Sequence, residues 1–69
     1  MAVAKNIEII SSSKESFDDA VKAGISRASQ TIKNIQGAWV KDMKVVVENA
    51  AVTEFRVTMI LTFVLSAED

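Results

Sequence analysis

The chain has 69 residues, 49% of them hydrophobic, with no Cys and no His, and a formal net charge of −1. That composition excludes disulfides and the common zinc sites, leaves only carboxylate or carbonyl metal sites, and offers no basic footprint for nucleic acid or anionic lipid. A domain of this size buries only roughly 60% of the surface its unfolded chain exposes, so with staples excluded, self-association is the expected source of further stability.

Residues 3–10, VAKNIEII, alternate Ile7 and Ile9 with Glu8 and predict a half-buried strand. The segment SSSKES follows, a run of turn and cap formers. Without a histidine base or a glycine-rich loop, its serines read as caps and turns rather than as nucleophiles or a phosphate cradle. Ser16 with Asp19 three residues on forms an acidic variant of the capping box, with Ser12 and Glu15 as a competing register. From Phe17 the apolar positions run through Ala20, Val21, Gly24, Ile25, Ala28 and Ile32, one helical stripe. Small residues along it admit close approach by a strand. Lys14, Asp18, Lys22, Arg27 and Lys33 form the solvated side, and Asp18 and Asp19 early with Lys33 late complement the helix macrodipole. Gly37 is the expected left-handed residue that ends the helix.

Residues 38–48 predict a second strand, with Trp39, Met43, Val45 and Val47 on one side and Ala38, Val40, Asp42, Lys44, Val46 and Glu48 on the other. The connection ENAA lacks the glycine that a tight primed turn favours, which predicts a longer loop. Residues 52–65 predict a third strand whose odd positions, Phe55 to Leu65, are all apolar and whose even positions, Arg56, Thr58, Ile60, Thr62 and Val64, are mixed. At about 3.3 Å per residue it exceeds about 40 Å, long enough to bend or reach a neighbour. SAED is a polar tail.

A right-handed helical crossover makes the first two strands parallel, and a hairpin makes the third antiparallel to the second. Putting the most apolar strand in the middle gives an α+β fold: a βαββ protomer with a three-stranded antiparallel sheet, third strand central, packed on one helix. Residues 1–69 form a single domain in this reading. The N-terminal MAVAKNIEII lacks the apolar core of a signal peptide, and no run approaches the roughly 20 apolar residues that span a bilayer. A cytoplasmic protein is the expectation.

The SxxSF entry to the helix at 13–17, AVKAGISRASQTIKNI along it, GAWVKDMKV opening the second strand and TEFRVTMILTFVL in the third occur in this order and spacing over nearly the whole chain. Together they resemble the dodecin family. The resemblance implies a hollow homododecamer of cubic (tetrahedral) symmetry built from trimers, which binds riboflavin, FMN or related flavins in pairs at its twofold axes and stores or buffers them without turnover. It assigns no catalytic residue, in keeping with the lack of a nucleophile–base pair.

In flavin-binding dodecins a tryptophan near the start of the second strand stacks on the isoalloxazine ring, and a glutamine in the third grips its pyrimidine edge. Those positions fall here on Gly37 and Arg56, with Trp39 two residues beyond Gly37. Arginine has donors only, where glutamine has a donor and an acceptor. The resemblance therefore implies a flavin site built from Trp39, Arg56 and Gly37. The alternative is a shell-forming homologue without flavin, in which Trp39 packs an interface and Arg56 pairs with Asp42 or Glu54, or in which another small ligand or a cation is held instead. Asp42 and Glu48 would act as cation ligands only where symmetry gathers their copies.

Overall fold

The computed structural model describes residues 3–66. Four elements follow one another: β1 (Val3–Ser13), α1 (Phe17–Ala28), β2 (Ile35–Glu48) and β3 (Ala51–Ser66). They form a three-stranded antiparallel sheet in the order β1-β3-β2. The long apolar strand lies in the centre, as its two-sided apolar pattern requires, and α1 packs on β1 and β3. The core is small: Ala20 and Ala28 of the helix against Val57, Met59 and Leu61 of β3.

Ser16 caps α1 with an extended backbone, its hydroxyl accepting from the Asp19 amide at 2.9 Å. The competing register is not used. Ser13, only 8% exposed, has a different task. Its hydroxyl donates to Asp19 Oδ2 at 2.7 Å and accepts from the Glu15 amide at 2.8 Å, tying the end of β1 to the first turn of the helix. Phe17 then meets Phe55 of β3 edge-on, ring centroids 5.2 Å apart. Gly24 lets the helix come close: a Cβ there would stand 2.8 Å from Ser11 Cβ and 2.9 Å from Met59 Cε.

Several boundaries differ from the sequence expectation, each for a local reason. β1 continues through Ser11–Ser13, because those residues pair with Val57, Arg56 and Phe55 of the longer β3. The helix ends at Ala28, where Ser29 folds its hydroxyl back onto the Ile25 carbonyl at 2.8 Å. Lys14 and Lys33 thus lie outside the helix, and Arg27 is the basic residue of its last turn. Ile32 still packs on the core, as partly buried apolar surface beyond the helix. Gly37 does not terminate α1. It lies inside β2 without positive φ, and Asn34, at φ 64°, makes the left-handed step before that strand.

The hairpin is tighter than expected. Glu48 pairs with Ala51, leaving Asn49 and Ala50 as a two-residue connection with φ of 53° and 64°. Positive φ at both central residues is the requirement of a type I′ turn. Ala50 meets it without the glycine that usually would.

The faces of β2 also differ. Pairing with β3 shifts between Ile35 and Gly37, between Val40 and Asp42, and between Val46 and Val47. The irregularity at Lys41 inverts side-chain parity. Before it, Ala38 and Val40 share the helix side with Leu61 and Met59, and Trp39 shares the open side with Ile60. After it, Met43 and Val45 take the helix side and Asp42 and Lys44 the open side. Trp39 therefore does not share a face with Met43 and Val45.

The protomer is elongated, 54 × 19 × 14 Å, with a radius of gyration of 14.2 Å. A compact chain of this length would have about 11 Å. Its accessible surface of 4897 Å² exceeds the roughly 4,250 Å² expected for a folded monomer of this mass. Ile35 and Val40 of β2 pack on the core, but beyond Lys41 the helix side of the strand is uncovered, with Met43 54%, Val45 43% and Val47 58% exposed. The expected polar tail at 67–69 lies outside the described residues, and Ser66 belongs to β3.

Candidate functional site

The face of the sheet opposite α1 is bare, and strand pairing arranges it in rows across β1, β3 and β2. Nearest the start of β1 lie Ala4 and Val64. Next comes Asn6–Thr62–Gly37, then Glu8–Ile60–Trp39, then Ile10–Thr58–Asp42, and finally Ser12–Arg56–Lys44 towards the hairpin. Same-face neighbours along a strand stand about 6.6 Å apart.

Trp39 is the largest group on this face and is 64% exposed. Gly37, one row away on the same strand and face, would have no atom within 4 Å of a Cβ placed on it. An aromatic surface and an open notch thus lie side by side. Lys41, at the bulge, reaches across the central strand to Glu8, Nζ to Oε1 3.3 Å. The pair is half-exposed, so screening keeps its contribution to stability below about 1 kcal/mol.

Arg56 lies on the same face but not beside Trp39. It is four positions along β3 from Ile60, the Trp39 partner, a distance of about 13 Å. It donates instead to Glu54 Oε1 from Nε at 3.4 Å, with Arg56 exposed and Glu54 half-buried. Asp42 pairs with Lys44 at 3.8 Å. Of the residues singled out in the sequence, one protomer therefore brings Trp39 and Gly37 together and leaves Arg56 apart. Asp42, the other suggested partner of Arg56, goes to Lys44.

Two polar residues of this face do not stand out in the sequence. Thr62 donates from Oγ1 to Asn6 Oδ1 at 2.7 Å, in the row that contains Gly37. They meet only through β1–β3 pairing; the signal in the chain is merely that each interrupts an apolar strand.

Grooves of the single protomer, about 340 Å³ between β1 and α1 and about 340 Å³ beside Phe63 and Ile32, do not include Trp39. A ligand stacked on Trp39 is enclosed only when a second molecule covers the face, since small-molecule sites bury most of their ligand. Among the described residues no group of three Asp, Glu, His or Cys is placed to hold a metal ion, and no helix is long and apolar enough to cross a membrane.

Comparison with known proteins places this geometry. A curated dodecin of Thermus thermophilus is 29% identical over 61 residues, 88% of each chain. The solved dodecin of Streptomyces davaonensis superposes with a TM-score of 0.91 at 29% identity, covering 94% of this chain and 96% of the other. A calcium dodecin of Mycobacterium tuberculosis, described as a calcium-chelating antigen with a novel calcium-binding site, superposes at 0.82 with 25% identity, covering 97% and 96%. The Dodecin family model matches residues 3–66, the whole βαββ unit, and the chain belongs to the dodecin family.

Proposed function

We propose that this chain is a non-catalytic flavin-binding protein, a homododecamer that holds riboflavin or FMN between open sheet faces of neighbouring protomers, with Trp39 as the stacking surface. The observation that carries the reading is Trp39 itself, 64% exposed on a bare face beside the notch at Gly37. A tryptophan left so open offers a large apolar surface for a partner to cover, and a stacked aromatic ring there contributes about 0.5–1.5 kcal/mol beyond area burial. Self-assembly is supported by the elongated protomer and by the uncovered apolar stripe of Met43, Val45 and Val47. Flavin, when bound, supplies the planar ring; Trp39 and Gly37 supply the platform and the space.

A second reading is favoured by the ion pair of Arg56 with Glu54. In it Arg56 serves local charge balance, Trp39 packs an interface between protomers, and the shell forms without flavin. Titrating riboflavin and FMN into the assembled protein separates the two. Flavin binding predicts saturable quenching of flavin fluorescence, weakened about tenfold or more in Trp39→Ala. The shell-only reading predicts no quenching at micromolar flavin with assembly intact.

A further inference from the structure

From the row of the open face that contains the notch, we infer that Asn6 and Thr62, rather than Arg56, form the polar grip for the cyclic imide edge of the bound ring. This rests on the flavin reading above and names the residues that would orient the ligand within it. The imide edge of a flavin presents a ring N–H flanked by carbonyl oxygens. Recognising it takes one acceptor and one donor a few ångströms apart. Arg56 has no acceptor, and Glu54 already occupies its Nε.

The Asn6–Thr62 couple has the complementary set. Thr62 uses its hydroxyl proton on Asn6 Oδ1 at 2.7 Å, which leaves Thr62 Oγ1 as an acceptor and the Asn6 amide nitrogen as a donor. Reversing the amide orientation exchanges the two roles and still leaves one of each. The hydrogen bond between them holds both side chains in one arrangement before any ligand arrives. Asn6 and Gly37 are exposed, and Thr62 is half-buried between them.

Position agrees with chemistry. Thr62 pairs directly with Gly37, and Ile60, the next same-face residue on β3, pairs with Trp39. The couple thus lies one row, about 6.6 Å, from the stacking surface, a step that a three-ring heteroaromatic spans. Arg56 of the same protomer lies two rows away on the other side. The row is also free of charge, whereas the rows from Glu8 to the hairpin carry Glu8, Asp42, Lys44 and Arg56. A neutral imide meets no competing ion pair there. The absent side chain at Gly37 admits the ring edge that a bulky residue would block.

The test compares lumiflavin with 3-methyllumiflavin, in which a methyl group replaces the imide proton, by fluorescence titration of the assembled wild-type protein and of Thr62→Val, Asn6→Ala and Arg56→Ala, each checked for folding by circular dichroism and for mass by light scattering. The inference predicts that wild type binds lumiflavin at least tenfold tighter than the methylated ring, that Thr62→Val and Asn6→Ala each lose about fivefold or more for lumiflavin, and that Thr62→Val removes the discrimination. Arg56→Ala leaves both affinities within about twofold. Unchanged lumiflavin affinity and discrimination in Thr62→Val, or their loss in Arg56→Ala, would overturn the grip while leaving the stacking on Trp39 standing. Failure of wild type to bind lumiflavin at all would overturn the flavin reading, and the grip with it.

Discussion

At the scale of single residues, the fold turns on a few side chains with more than one partner. Ser13 shows why a serine triplet was hard to read residue by residue. All three serines are cap formers by type, but only the one at the end of β1 is buried and bonded to both Asp19 and Glu15. The Ser16 cap was legible because its partner lies three residues away. Gly37 was not: glycine after a helix usually marks its end, and the left-handed step was taken instead by Asn34, the other residue type that tolerates it. Ala50, at φ 64°, carries the clearest local cost, since an alanine in the left-handed region is disfavoured by roughly 1–2 kcal/mol. Ala50→Gly relieves that strain and gives back part of the gain as unfolded-chain entropy. Denaturant unfolding at a fixed protein concentration is expected to show a net stabilisation of about 0.5–1 kcal/mol, the relieved strain less the entropy; a loss of stability would mean that the turn relaxes in solution.

At the scale of elements, the central strand and the helix were legible because each carries an unbroken period. β3 is apolar at every odd position from Phe55 to Leu65, and α1 places Ala20, Gly24 and Ala28 on one buried side. β2 was legible as a strand but not in its faces. A bulge adds one residue without altering the composition of the strand, so the alternation through Lys41 gave no sign that parity inverts there. The same limit hid the Asn6–Thr62 row, whose members are 56 residues apart and meet only once β1 pairs with β3. Close approach of α1 to the sheet makes Gly24 a sharp test of the packing. Gly24→Val gains slightly in helix propensity but drives side-chain atoms into Ser11 and Met59. Thermal and denaturant unfolding are expected to register a net loss of about 2 kcal/mol or more. A neutral outcome would show that α1 can lift from β1 at little cost.

At the scale of the whole molecule, the central idea is that one protomer is incomplete. Its aromatic surface is open, Arg56 lies about 13 Å along β3 from Ile60, the Trp39 partner, and an apolar stripe on β2 has no cover of its own. Composition already pointed this way, since a chain of 69 residues without cysteine or histidine has few other means of stabilisation. Placing a charge in the stripe should act on association first. Val45→Asp is expected to shift the protein to smaller species by light scattering, with stability reduced in step, because folding and assembly are linked through protomer concentration. Unchanged mass would remove that stripe from the interface.

The most direct measurement is sedimentation velocity of the purified protein with micromolar riboflavin, recorded both in the ultraviolet and in the flavin absorbance band. A closed dodecamer of this 7.5 kDa chain predicts a single boundary of about 90 kDa that carries the flavin absorbance with it. Protein sedimenting as a monomer would contradict the assembly, and a dodecamer boundary that leaves the flavin behind would contradict the binding.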